Sequence, residues 1–336
     1  MKDYKNYSLL AYNTFGIDVK AYRFFEYSSV DELKDFLSSY KDDMPLFHIG
    51  GGSNLLFTSD FKGVILHSAI KGFEKTSETD EFVDIKVGAG EVWDDFVAYT
   101  VNNGLYGAEN LSIIPGEVGA SAVQNIGAYG VEAKDLIKNV HTVCISDLSD
   151  RDFMNDECCY SYRKSIFKEE LKGKYIVTHV TYRLSKKEIF HMEYGNINSE
   201  LQRKGLESSL ENVRNTIIEI RHSKLPEPSE LGNAGSFFMN PIVSIEKFNE
   251  LYKRYPDIPH YPFDDKRVKI PAGWMIDRCG WKGKRIGSVG VYEKQALVLV
   301  NYGEASGEDI IGLANEVIKS VKEKFGVELS PEVNYI

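Results

Sequence analysis

The sequence predicts an α+β protein built from more than one domain, and three observations carry that prediction. The chain has 336 residues, more than one ordinary domain holds. Short β-branched runs alternate along it with stretches of helical period. The pattern breaks at KLPEPSELGNAG (224–235), where Pro226 and Pro228 stop regular structure and set a domain boundary near residue 225.

Each element follows from a local signal. Ser29, followed by Val30, Asp31 and Glu32, opens a helix through Tyr40 with acidic residues in its first turn. PLFHIG (45–50) reads as a strand entering a glycine turn, and GVILH (63–67) and FVDIKVGAG (82–90) read as further strands. Val92, Trp93, Phe96, Val97 and Val101 share one helical stripe, so 91–103 is a helix stopped at Asn103-Gly104. The runs 137–146 and 174–184 are strand-like, and 208–224 is helical. Beyond the break come a strand (236–239), a helix (244–255), a strand (296–301) and a long helix (308–325).

Composition narrows the function. With 43% hydrophobic and 27% charged residues the chain folds. A formal net charge of -10 argues against nucleic acid as a partner. No apolar run approaches the length that spans a bilayer, and MKDYKNYSLLAYNTFG lacks the layout of an export signal. Cys144, Cys158, Cys159 and Cys279 form no C-x-x-C pair, which reads as reduced thiols in a cytosolic protein. The seven histidines show no ligand spacing, so no metal site is expected. Nothing in the pattern marks an obligate protein partner.

Two glycine-rich stretches carry the chemistry. IGGGSNLL (49–56) follows a strand, and its small residues let backbone N–H groups approach a phosphate. It lacks the third glycine of the dinucleotide fingerprint and the Gly-Lys-Ser/Thr ending of a P-loop, so neither of those sites is predicted. IPGEVGASAVQNIGAYG (114–130) combines four glycines with Gln124, Asn125 and Tyr129. That composition suits a large flat ligand, and alone it equally suits a tightly packed helix. Two such cradles in one chain favour a large phosphate-bearing cofactor.

These blocks, with YSYRKSIF (160–167), GNAGSFFMNP (232–241) and SPEV (330–333), stand in the order found in UDP-N-acetylenolpyruvoylglucosamine reductases. The chain resembles that family from Asn13-Thr14-Phe15-Gly16 to its last residues. The resemblance implies a vanillyl-alcohol-oxidase/PCMH-type FAD-binding domain in two α+β subdomains, 1–75 and 76–224, with 327–336 returning to the first. A C-terminal α+β substrate-binding domain, 225–326, would follow. It implies FAD as cofactor, NADPH as co-substrate, and reduction of UDP-N-acetylglucosamine enolpyruvate to UDP-N-acetylmuramate for peptidoglycan in a bacterial cytoplasm.

Roles carry over position by position. Ser236 matches the proton donor, Arg163 the arginine facing the substrate carboxylate, and Glu332 the glutamate at the same charge centre. Cofactor-binding positions are Gly50, Gly51, Gly52, Ser53, Asn54, Leu55, Ile114, Pro115, Gly116, Gly119, Ala120, Gln124, Asn125, Gly127, Ala128, Tyr129 and Arg221. Substrate-contacting positions are Tyr162, Tyr194 on a closing loop, Lys224, Asn240, Tyr261, Lys269 and Gln295. Ordinary alternatives are a turn or cap for Ser236, a surface loop for Arg163 and an exposed tail for Glu332. Met239 and Asn334 depart from the family, standing where a basic residue is expected. From Asp264 to Arg285 the charge is +4, which would favour a diphosphate. Two other readings stay open: a different flavin oxidoreductase on this scaffold, and a flavin-free nucleotide-sugar binder.

Overall fold

A computed structural model describes residues 1–41 and 44–336, and its contacts divide the chain into two units. Met1–Tyr7, Ala21–Gly51 and Lys62–Arg221 form the first; Ser8–Lys20, Gly52–Phe61 and His222–Ile336 form the second. The division at Arg221/His222 falls in the last turn of a helix, just before the proline-rich break. Among the described residues no helix is long and apolar enough to cross a membrane.

The first unit carries two main sheets. One runs β1 (Lys2–Ser8), β2 (Lys20–Tyr27), β5 (Phe61–Ser68), β3 (Leu46–Ile49), with β3 and β5 parallel. Helix α1 (Val30–Ser39) covers it; Ser29 caps the helix by accepting from the Glu32 N–H at 3.1 Å. Its Phe36 ring stacks on Phe25 at 4.1 Å within the core that Leu33 and Tyr27 share. The other sheet runs β11 (Asp150–Met154), β10 (Ile137–Cys144), β12 (Tyr175–Ser185), β7 (Phe82–Gly88), β6 (Phe73–Glu78), all antiparallel. Helix α2 (Trp93–Asn102) buries Trp93, Phe96 and Val97 of the predicted stripe there, while Val92 precedes the helix and is exposed and Val101 is only partly buried. The Trp93 ring meets Tyr182 edge-on at 5.7 Å, and its Nε1 donates to the Leu111 carbonyl at 2.8 Å. Helix α3 (Val118–Gln124) leads into a small hairpin, β8 (Gly127–Ala128) and β9 (Val131–Glu132). Helices α4 (Ile197–Lys204) and α5 (Leu210–Lys224) pack through Ile197, Leu201, Val213 and Ile217.

The second unit holds a sheet in the order β13 (Gly232–Ser236), β19 (Val298–Asn301), β18 (Val289–Val291), β17 (Arg285–Ile286). A smaller sheet joins β14 (Ile242–Ser244), β16 (Arg267–Lys269) and β15 (Tyr261–Asp264), with α6 (Ile245–Arg254) and α7 (Ala272–Arg278) beside it in sequence. The long helix α8 (Gly307–Phe325) packs on β18 and β19 with Ile310, Leu313, Ala314, Val317 and Val321, at the expected three- and four-residue spacing. Ser306 and Asp309 close its first turn as a capping box. The last strand, β20 (Asn334–Tyr335), pairs parallel with β4 (Leu55–Leu56).

One predicted element needs correction. The strand expected over 236–239 ends at Ser236 and begins earlier, at Gly232. Phe237 and Phe238 are consecutive and both 1% exposed, and after the Phe237 N–H donates to the Leu297 carbonyl at 2.8 Å the regular ladder is not continued. Its backbone turns to other partners, described below.

Candidate active site

The start of the first glycine stretch meets the second within the first unit. A methyl placed on Gly51 would meet the Gly116 Cα at 3.6 Å, and one on Gly50 would meet the Glu117 carboxylate at 3.2 Å and the Ala120 methyl at 3.4 Å. Gly52 has φ +68 and lies against the Tyr12 carbonyl, so a side chain there is excluded twice over. Among the described residues nothing accepts a hydrogen bond from the Gly51 and Gly52 N–H groups. Two adjacent unspent donors on small residues form a concavity for an anionic oxygen.

The second stretch is held in an uncommon backbone. Ile113, Asn125 and Tyr129 have φ of 49°, 46° and 49°, and such strain persists only where neighbours enforce it. Asp94 enforces the first: its Oδ1 accepts from the Ile113 N–H at 2.6 Å, and Arg214 of α5 grips both carboxylate oxygens at 2.8 Å. Burial alone would raise the Asp94 pKa, but Arg214 and the Ile113 N–H outweigh it and hold the carboxyl below its ordinary value. Seven residues along the same helix, Arg221 reaches the Ile113 carbonyl at 3.4 Å. Ile114 and Pro115 follow directly. Gly119 packs on Ala89, whose carbonyl accepts its N–H at 2.9 Å, so this glycine serves helix packing. Asn125 donates to the Ser161 carbonyl at 2.9 Å, and Ala128 lies in β8. Within the first unit, the Gly51 N–H, the small residues at 114–120 and the cation at 221 form a set suited to FAD.

Arg163 is not a loose surface residue. Its backbone is left-handed (φ 59), and its guanidinium donates to the Gly127 carbonyl at 2.9 Å and, more weakly, to Asn125 at 3.4 Å. It also lies over the Tyr162 ring, 5.3 Å from the centroid. Tyr194 packs against Gly130, and Tyr129 reciprocally against Gly195. Asn110, fully buried, ties these segments by donating to the carbonyls of Tyr129 (2.9 Å) and His191 (2.7 Å).

Ser236 and Glu332 lie on paired segments of the second unit. Ser236 ends β13 opposite Val298, after a register shift at Asn233/Ser236 that Gly235 makes possible with φ +66. It caps no helix, and its hydroxyl bonds to none of the described residues. The Asn233 side chain fixes the bulge: its oxygen accepts from the Gly235 N–H at 2.9 Å and its nitrogen donates to Leu231 at 2.8 Å. The tail then pairs with the segment after Ser236. The Glu332 N–H donates to the Phe237 carbonyl at 2.8 Å, and the Met239 N–H to Ser330 at 2.9 Å. The tail also ends against the first glycine stretch: Asn54 Nδ2 donates to the Glu332 carbonyl at 3.3 Å, and the Asn334 N–H to the Asn54 carbonyl at 3.1 Å. Asn334, noted above for the missing positive charge, uses its amide to donate to the Asn54 carbonyl at 3.2 Å. Ser53 precedes this contact, and Leu55 lies opposite Asn334 in β4. The Glu332 backbone is therefore pinned on both sides rather than lying in a loose tail.

The remaining substrate positions are mixed. Tyr261 and Lys269 stand opposite each other across β15 and β16. Asn240 accepts from the Ala272 N–H at 2.9 Å at the start of α7, and the Gln295 side chain faces Gly273. Lys224 is exposed at the end of α5. Three of the seven cations of the basic run are paired with carboxylates: Arg267 with Asp264 at 2.6 Å, Arg278 with Asp257, and Lys282 with Asp277 at 3.8 Å.

Known proteins share this sequence and fold. A model of the C-terminal domain of UDP-N-acetylenolpyruvoylglucosamine reductase matches residues 227–336, and an FAD binding domain model matches 23–147. The reductase of that name from Bacteroides fragilis (strain YCH46) is 56% identical, covering 99% of each chain. The Porphyromonas gingivalis (strain W83) reductase is 49% identical over 99% of this chain and 98% of its own. The chain belongs to the UDP-N-acetylenolpyruvoylglucosamine reductase family. The reductase from Flavobacterium johnsoniae is 46% identical with full coverage of both chains. The Thermus caldophilus reductase, 22% identical, shares the fold with a TM-score of 0.67 over 99% of this chain and 98% of its own. The chain is accordingly an FAD-dependent oxidoreductase, with the PCMH-type flavin fold and a reductase C-terminal domain.

Some supporting residues escaped the sequence reading. Asp94 and Arg214 gave a signal only in hindsight, Arg214 lying one heptad before Arg221. The buried His67 is another: its ring nitrogens face Glu26 at 3.0 Å and Glu117 at 2.9 Å, and Lys2 meets Glu26 at 2.6 Å. A histidine inside the apolar run GVILH was its visible trace.

Proposed function

We propose that the chain carries out the reaction for which its relatives are named, reducing the enolpyruvyl group of UDP-N-acetylglucosamine enolpyruvate to UDP-N-acetylmuramate for peptidoglycan, with NADPH as reductant. FAD, when bound, supplies the hydride that it has taken from NADPH. Hydride addition at one alkene carbon leaves negative charge on the other carbon and the neighbouring carboxylate. In this reading the Ser236 hydroxyl gives the proton to that carbon, the Arg163 guanidinium faces the carboxylate, and Glu332 acts at the same charge centre. Residues 1–75 and 76–224 are the flavin-binding subdomains, 225–326 bind the nucleotide sugar, and 327–336 return to the first.

The observation that supports the reading best is the bond from the Glu332 N–H to the Phe237 carbonyl at 2.8 Å. It sets a carboxylate 96 residues downstream beside the serine's own segment, an arrangement that a simple binder does not need. The test is a visible spectrum of the purified protein, followed anaerobically by NADPH and then by the enolpyruvyl sugar. The flavin bands should bleach and then return. Return with oxygen alone would point to another flavin oxidoreductase, and a protein that stays colourless with added FAD would be a binder.

A further inference from the structure

The YSYRKSIF block continues into Lys168, and of this stretch the proposed function uses only Arg163. The whole turn is stapled to the end of α3. That helix stops at Asn125 in a left-handed cap, leaving its last carbonyls without helical partners. Ser165, 1% exposed, donates its hydroxyl to the Val123 carbonyl at 2.6 Å. Arg163 donates to Asn125 and Gly127. Lys168 Nζ lies 2.9 Å from Gln124 Oε1 and 3.4 Å from the Arg163 carbonyl. Two cations at a helix C-terminus suit its dipole.

An ammonium can only donate, so the Gln124 atom facing it is the oxygen. The amide nitrogen, carrying two donor hydrogens, is thereby the other end. The same ammonium braces the carbonyl of a residue held at φ 59. We propose that Lys168 is a positioning residue for both parts of the site: it orients the Gln124 amide as a donor toward the flavin and keeps Arg163 in the backbone turn from which its side chain leaves. The proposal rests on Gln124 facing the cofactor and Arg163 facing the substrate.

The test uses the full-length FAD-loaded protein and Lys168→Met, Lys168→Arg, Gln124→Met and the double variant. Lys168→Met should weaken FAD affinity about tenfold, the loss of one charge-assisted hydrogen bond. It should also shift the visible band of the bound flavin. Lys168→Arg, which can still donate to Oε1, should restore both. The double variant should be no worse than Gln124→Met, because the lysine acts through the amide. Additive losses, or an unchanged affinity and spectrum in Lys168→Met, would overturn the proposal. If Gln124→Met alone changes neither quantity, the cofactor-facing assignment of Gln124 has failed, and the proposal falls with it. Should Lys168→Met not fold, Lys168→Gln gives the same readouts.

Discussion

At the scale of single residues, the proposed chemistry turns on the Ser236 hydroxyl. Ser236→Ala should still let NADPH bleach the flavin, since that half-reaction delivers no proton to carbon. Reoxidation by the enolpyruvyl sugar should slow by about 100-fold or more, the usual worth of a general acid. Stopped-flow traces of the two half-reactions decide the matter, and equal slowing of both would make Ser236 structural. Gly235 offers a companion test. Nothing lies within 4 Å of a methyl added there, so only its φ of +66 opposes one. Gly235→Ala should cost about 1 kcal/mol in thermal unfolding, the penalty of a left-handed L-residue. It should cost far more in substrate-driven reoxidation, because the bulge that aims Ser236 would relax. A full-rate Gly235→Ala enzyme would show that the bulge does not set the geometry.

At the scale of elements, the C-terminal tail joins parts of the second unit that are remote in sequence. It pairs with 237–239 on one stretch and with β4 on the next. Deleting 334–336 removes the backbone bonds of Asn334 to Asn54 and of Ile336 to Leu56. The expected result is a protein that holds FAD and bleaches with NADPH but turns over the sugar poorly, since the tail that carries Glu332 loses its pairing with β4. Full turnover after this deletion would mean that the Phe237 bond suffices. The helix α5 plays a matching part in the first unit, where Arg214 and Arg221 fix the strained start of the second glycine stretch. Asp94→Ala leaves the half-buried Arg214 without its carboxylate and should loosen FAD, measured as a faster release of flavin on dilution.

At the scale of the whole molecule, acid should weaken the fold through two partly buried histidines. Burial, with a smaller effect from His67, lowers the His48 pKa to about 3, and burial with nearby Lys86 lowers that of His179 to about 4. Both are neutral in the folded state well below the unfolded value of 6.5. The unfolded chain therefore binds more protons in this window, and stability falls as pH drops from about 6.5 toward 4, by up to about 1.4 kcal/mol per pH unit for each histidine. Burial also raises the Tyr27 pKa, so its hydroxyl stays protonated and shares a hydrogen bond of 2.7 Å with Nε2 of the neutral His48. His48→Gln keeps an acceptor without the titration and should flatten the dependence of Tm on pH. An unchanged slope would assign the acid lability to other groups.

The sequence by itself determined the helices and strands whose burial pattern is periodic: 30–39, 93–102 and 307–325 appear where their stripes and caps place them. It also determined the family, because glycines, an arginine, a serine and a glutamate at set positions survive as letters. It misplaced the strand near Ser236, since two consecutive buried phenylalanines have no period to read. Only the tertiary structure decided that Gly51 meets Gly116, that Asp94 holds Ile113, and that Glu332 lies beside Phe237. These are contacts between segments 65, 19 and 95 residues apart. Nothing local encodes such pairings; they arise when sheets close over their cores and bring distant backbone groups within reach of one another.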